Sequence, residues 1–157
     1  MEIDSLRQRD IPEVMALMDL GGPYLVPRTA SDYWLYAKLF STTCLVARID
    51  GELVGAVMAF RSQDEPDDVY IQDVVTHPAH RRAGIATALL AALRERAERL
   101  GARRLYLTSE PGNTAAHATW TRLGFTNVSG DRTVEGVSVI DDYKGLGRHR
   151  AVYELSL

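Results

Sequence analysis

The spacing of apolar positions changes along this chain, and each change marks an element. Ile3 to Leu6 has the short mixed pattern of a first strand. Ile11, Val14, Met15 and Met18 then recur every three or four residues, which predicts a helix. Asp10 stands where an N-cap belongs, Pro12 falls in the first turn, and Glu13 is placed as a capping-box glutamate. Gly21-Gly22-Pro23 ends that helix, and a second is predicted from Ser31 through Phe40. Two strand-like runs, Cys44–Ile49 and Leu53–Phe60, flank Asp50-Gly51, a hairpin signature because both turn residues tolerate positive φ. Asp64–Asp68 is an acidic loop, and Val69–Thr76 is apolar enough for a central strand.

The second half continues the alternation. Ile85, Leu89, Leu93, Ala97 and Leu100 give a helix after Gly84, with Gly101 as its C-terminal glycine. Arg104–Thr108 is another strand, and Asn113 caps a helix through Leu123 that Gly124 closes. Phe125–Val128 is extended, residues 129–149 form a long loop or irregular hairpin, and Arg150–Leu157 is a last strand. With no internal repeat and no linker, the pattern predicts a single α/β domain over residues 1–157.

Composition narrows the class. A chain of 157 residues buries about two-thirds of its unfolded surface around one core. No apolar run is long enough to span a membrane, and Met1-Glu-Ile-Asp4 is no signal peptide, so a cytoplasmic protein is expected. The lone Cys44 excludes an intrachain disulfide and reads as a small buried hydrophobe. A net charge of −3 weighs against a nucleic-acid footprint. No metal site is expected.

The run His77–Ala86 carries the most chemistry. It joins an apolar strand to an amphipathic helix, and its small residues leave backbone N–H groups open at a helix N-terminus, where phosphate or pyrophosphate binds. Gly84 and Ala86 admit a ligand to the backbone. Arg81 and Arg82 add charge-assisted hydrogen bonds worth roughly 1.5–3 kcal/mol each. The turn from Arg81 through Ala83, Gly84, Ile85 and Ala86 to Thr87 is therefore the predicted phosphate cradle. The competing interpretation is an ordinary strand-to-helix turn with two solvated arginines.

With these elements placed, the chain resembles the GCN5-related N-acetyltransferase (GNAT) superfamily along nearly its whole length. Arg81-x-x-Gly84-x-Ala86 matches the coenzyme-A pyrophosphate motif, and Asn113-x-x-Ala116-x-x-x-Trp120-x-x-x-Gly124-Phe125 matches the second cofactor motif. The resemblance implies a mixed, mostly antiparallel sheet of about six or seven strands, flanked by about four helices and splayed between its fourth and fifth strands. It also implies acyl transfer from acetyl-CoA to a primary amine by direct attack. Pantetheine would bond to the strand through Val74, Val75 and Thr76, and a backbone N–H, assigned to Val75, would act as the oxyanion hole.

An alkyl ammonium must lose a proton before it attacks, at roughly 4–5 kcal/mol at pH 7. The glutamates that many family members use correspond here to Tyr70 and Thr108. Asp73 and Glu110 are the nearest carboxylates, each with a structural role as its alternative. Asp73 lies on the strand face opposite Tyr70 and Gln72 unless a β-bulge changes the parity. The family's usual proton-donating tyrosine corresponds to Trp120, whose indole N–H is too weak an acid, so Trp120 packs either on pantetheine or in the core. Proton return then falls to Tyr106, Tyr143, Tyr153, His117 or water, with Tyr106 taken as the candidate.

The N-terminal half is similar to the diaminobutyrate acetyltransferases of ectoine biosynthesis, through Asp19-Leu-Gly-Gly-Pro-Tyr24 and Tyr33–Ala47. That similarity implies a diamino-acid site using Asp19 and Tyr24, with Tyr70 and Gln72 on the facing strand. The chain departs from it by extra residues around Pro27 and Arg28, by Gln72 in place of a tryptophan, and by His149-Arg-Ala-Val in place of an acidic motif. Arg28 is a candidate partner for a substrate carboxylate.

The expected activity is N-acetylation of a small amine, a diamino acid or natural-product intermediate. The rivals are an antibiotic- or toxin-inactivating acetyltransferase, an acyltransferase using aminoacyl-tRNA through clustered arginines, and a non-catalytic acetyl-CoA-binding module. A homodimer is expected because the terminal strand would leave an edge to be covered.

Overall fold

The computed structural model describes residues 1–157, which divide into two compact units, Met1–Ala102 and Arg103–Leu157. In the first unit, β1 (Glu2–Ser5), β2 (Leu45–Ile49), β3 (Glu52–Arg61) and β4 (Asp68–Thr76) pair in that order, each antiparallel to the next. The β2–β3 turn holds Asp50 at φ 50° and Gly51 at φ 81°, the two positive values that the Asp-Gly signature demands.

One face of this sheet is covered by α1 (Ile11–Met18) and α2 (Ala30–Leu39). Val14, Leu17 and Met18 of α1 and Tyr33 of α2 pack with Ala56, Met58 and Val75 into one buried cluster. Half-buried Tyr36, Phe40 and Phe60 extend it, with Tyr36 and Phe60 ring centroids 4.7 Å apart. α3 (Ile85–Arg99) packs close to β3, where a Cβ on Gly55 would collide with Ile85 and crowd Leu89. Glycine at 55 thus lets the first turn of α3 settle against the sheet.

Two helix starts differ from the sequence expectation. Asp10 makes no side-chain cap to α1; a short 3-10 turn, Gln8–Asp10, precedes the helix. The nearly buried Asp10 carboxylate accepts instead from the Arg7 N–H at 2.9 Å and from Arg48 Nη2 at 2.8 Å. Glu13 is no capping-box partner either, for its carboxylate pairs with the same arginine. The α2 cap is Thr29, whose hydroxyl accepts the Asp32 N–H while the Asp32 carboxylate accepts the Thr29 N–H.

In the second unit, β9 (Ala151–Ser156) lies between β5 (Arg104–Ser109) and the short β6 (Thr126–Asn127), antiparallel to both. Both edges of β9 are therefore satisfied within the chain, and the expected open terminal edge is not there. α4 (Thr114–Arg122) links β5 to β6, and β7 (Arg132–Val134) and β8 (Val137–Val139) form the irregular hairpin expected between residues 129 and 149. No helix is long and apolar enough to cross a membrane.

Candidate active site

The turn expected to cradle phosphate is an open strand-to-helix turn. After β4, Pro78–His80 makes one 3-10 turn, and α3 starts behind Gly84, whose φ of 75° is left-handed. Arg82 is left-handed too, at φ 69°, a conformation costly for a residue with a Cβ. Arg81, Arg82, Ala83, Gly84 and Thr87 are exposed, and a Cβ on Gly84 would meet nothing. The Ala88 N–H is the first to bond back along the helix, to Gly84 O at 3.0 Å. The N–H groups of Ile85, Ala86 and Thr87 thus open at the positive end of a fifteen-residue helix beside two arginines. That donor set fits a pyrophosphate.

β4 contains a feature the apolar pattern does not reveal. Val74 pairs with Val57 and Asp73 with Met58, but Ala59 pairs with Ile71, so Gln72 is an extra residue: a β-bulge. Tyr70 opposes Phe60, Asp73 opposes Met58 and Val75 opposes Ala56, all alternate residues of β3. Asp73 therefore shares a face with Tyr70 and Val75, and that face looks toward α1 and α2. The parity expected for an unbulged strand does not apply.

The same register corrects the oxyanion-hole assignment. His77 donates its N–H to Val54 O at 2.8 Å. Two residues back, Val75 opposite Ala56 turns its N–H the same way, toward β3. The N–H groups of Val74 and Thr76 face the other edge of β4. A backbone donor for a thioester oxygen must be sought at those two positions.

Around Asp73 the structure gathers residues of which the sequence singled out only some. Tyr33 is wholly buried, and its hydroxyl accepts the Arg28 backbone N–H at 3.2 Å. Burial raises the pKa of both Tyr33 and Tyr36; the Asp73 carboxylate adds to the rise, and the Arg28 guanidinium opposes it. Arg28 is half-buried, with its Nε enclosed and lacking a hydrogen-bond partner. Tyr33 and Tyr36, three apart on one helix face, were the legible signal for this cluster. Asp19, at the C-terminus of α1, and Tyr24 are both exposed, so no walled pocket surrounds them. A hollow of about 500 Å³ along β1, beside Ser5, Arg7 and Arg48, includes none of the expected site residues.

In the second unit, Asn113 caps α4 as expected, its Oδ1 accepting the Ala116 N–H at 3.1 Å. The Trp120 ring packs edge-on to Phe125. The Arg104 guanidinium lies 4.4 Å over the Tyr106 ring. His117 Nδ1 and the Tyr153 hydroxyl are hydrogen-bonded at 2.7 Å, and burial pushes the Tyr153 phenol up to about 12. Glu110 is exposed just ahead of the α4 cap.

A model of the acetyltransferase (GNAT) family matches residues 13–125. The chain belongs to that family. Among curated GNAT relatives, the L-2,4-diaminobutyric acid acetyltransferase of Nocardia farcinica is 35% identical over 86 residues, 55% of this chain and 45% of that protein. That of Marinococcus halophilus is 35% identical over 91 residues, 58% and 53% of the two chains. The mycothiol acetyltransferase of Kineococcus radiotolerans is 38% identical over 98 residues, 60% of this chain and 31% of that one. This GNAT chain spans about half the length, or less, of these relatives. The solved diaminobutyrate acetyltransferase EctA from Paenibacillus lautus, in complex with L-2,4-diaminobutyric acid and coenzyme A, superposes with a TM-score of 0.76. It is 24% identical, and the match covers 99% of this chain and 93% of EctA, which shows that the GNAT α/β fold extends over the chain.

Proposed function

We propose that the protein is an acetyl-CoA-dependent N-acetyltransferase acting on a primary amine of a small diamino acid. The observation that carries this reading is the cradle of open N–H groups and arginines at the start of α3, built for the pyrophosphate of coenzyme A. The diaminobutyrate acetyltransferases among its relatives support the acceptor class.

In this reading Arg81, Arg82 and the N–H groups of residues 84–87 hold the pyrophosphate. Val74 and Thr76 offer their outward backbone groups to pantetheine, and Val74 N–H, in place of Val75, polarises the thioester oxygen. Asn113, Ala116 and Trp120 keep the cofactor-side role that the family motif gives them. The neutral amine attacks the thioester carbon; the C–N bond forms, the C–S bond breaks, and the thiolate leaves. Asp73 receives the amine proton, directly or through water, because the bulge aims it at the tyrosine-lined face; exposed Glu110 is the weaker base. Tyr106, its ring beneath the Arg104 guanidinium, returns a proton to the thiolate. Asp19 draws the cationic amine in from solvent and Tyr24 closes over it, with Tyr70 and Gln72 bordering the acceptor on β4.

We propose a homodimer in the cytoplasm, the dimer supported by the exposed apolar side chains Trp34, Leu35 and Leu39 on α2; light scattering at micromolar concentration tests the dimer. The experiment for the activity is thiol release from acetyl-CoA over an amine panel, with product masses. An N-acetylated diamino acid supports the proposal. Tight coenzyme A binding without turnover on any amine would leave a binding module.

A further inference from the structure

Segment 20–29, between α1 and α2, is irregular, yet the residue that matters in it is pinned. The Arg28 backbone N–H is held by the buried Tyr33 hydroxyl, and the next residue, Thr29, is locked into the α2 capping box. The root of the Arg28 side chain is thereby fixed whatever the side chain does. Its Nε is enclosed and has no hydrogen-bond partner. A charged donor shut away from water is costly unless something completes it, and natural structures seldom leave one so.

The Arg28 guanidinium acts on Tyr33, Tyr36 and the Asp32 carboxylate, and the Asp73 carboxylate acts on the same two phenols. Asp32 is committed to Thr29, accepting both its N–H and its hydroxyl. Asp73 and Arg28 act with opposite sign on the same two phenols, so a reader of cations and a reader of anions stand beside one pair of rings. An Nε–Nη edge of a guanidinium matches a carboxylate bidentately.

We infer that Arg28 binds the carboxylate of the acceptor through its enclosed Nε edge, so that the site selects zwitterionic amino acids over bare amines. This rests on the acceptor site lying at Asp73, as proposed above.

The test is titration calorimetry in the presence of coenzyme A, with L-2,4-diaminobutyrate and L-ornithine and their decarboxylated counterparts, 1,3-diaminopropane and putrescine. At least one acid should bind the wild-type protein about thirtyfold more tightly than its own amine, the worth of a charge-assisted bidentate contact. Arg28→Met should erase that gap by weakening the acid, while Arg28→Lys should restore part of it. Any side chain at 28 keeps the backbone bond to Tyr33, so these variants should fold. No gap in the wild type, a gap that survives Arg28→Met, or no binding of any of the four would overturn the inference. Thiol release with the same probes reports separately on the activity: acid-selective binding without turnover keeps Arg28 and removes the enzyme, and equal turnover of bare diamines does the reverse.

Discussion

The Trp120 indole N–H donates to Ser109 Oγ at 3.2 Å, tying α4 to the end of β5. A donor committed to a neighbouring hydroxyl is not the proton donor that the family resemblance places at this position as a tyrosine. Trp120→Phe should cost about 0.5–1.5 kcal/mol, the worth of one hydrogen bond, and change kcat less than threefold or so. Denaturant melts and steady-state kinetics read the two effects. A large fall in kcat at unchanged stability would give the indole a part in the chemistry.

Gly84 is required by its φ of 75°, while the open space above it would accept a Cβ. Gly84→Ala should destabilise by about 1 kcal/mol through backbone strain alone. Gly84→Glu should in addition set a negative charge against the pyrophosphate and lower acetyl-CoA affinity by tenfold or more, about 1.4 kcal/mol. Calorimetric titration of the folded variants checks this, and an unchanged affinity in Gly84→Glu would displace the cofactor from the α3 turn.

Asp19→Asn keeps shape and removes charge. If the exposed Asp19 carboxylate steers a cationic acceptor, kcat/KM should fall roughly ten- to a hundredfold, about 1.4–2.7 kcal/mol, with acetyl-CoA binding untouched. Wild-type kcat/KM in this variant would reduce Asp19 to a solvated helix end.

Cys44 is fully buried, its Sγ 3.4 Å from Ala59 O, and burial pushes its thiol up to about 12. In the native protein it should be inert to aromatic disulfide reagents at pH 8 and react only at the rate of unfolding. The folded-state value lies above the ordinary 9.0, so this contribution to stability is fully present below about pH 9 and declines as pH rises toward 12. Cys44→Ala should flatten that alkaline decline, measured as melting temperature against pH.

Arg48 connects Asp10, Glu13 and the Gly51 carbonyl, and the two carboxylates hold its guanidinium firmly protonated. Arg48→Met should strand the nearly buried Asp10 carboxylate with only the Arg7 N–H. The expected loss is about 2–4 kcal/mol, nearer the lower end because Arg48 keeps some contact with solvent. Asp10→Asn combined with Arg48→Met should recover part of it.

The order of elements was legible wherever one local rule decided the outcome. Asp50-Gly51 turned as read, Asn113 capped as read, and the α3 repeat gave its buried face because a helix stripe needs no distant partner. What escaped was set by distance. Asp10 looked like a cap, but Arg48, 38 residues on, takes its carboxylate. The last strand looked as if it needed a neighbour, and two-residue β6 supplies one. The open turn before α3 was readable as a motif because backbone donors at a helix start depend on local geometry. Acceptor residues depend on which way β4 faces, and its nearly continuous apolar run hides that.

The extra residue at Gln72 makes the two ends of β4 independent. Downstream, Val74 and Thr76 are constrained by the edge of the strand they serve; upstream, Val69 to Ile71 answer only to the packing of β3. Loss of this one residue would leave Ile71 opposite Ala59 and Tyr70 opposite Phe60, so Tyr70 and Asp73 would keep their shared face and only the local bend of the strand would relax. A deletion of this residue is therefore tolerated by the face that Tyr70 and Asp73 share.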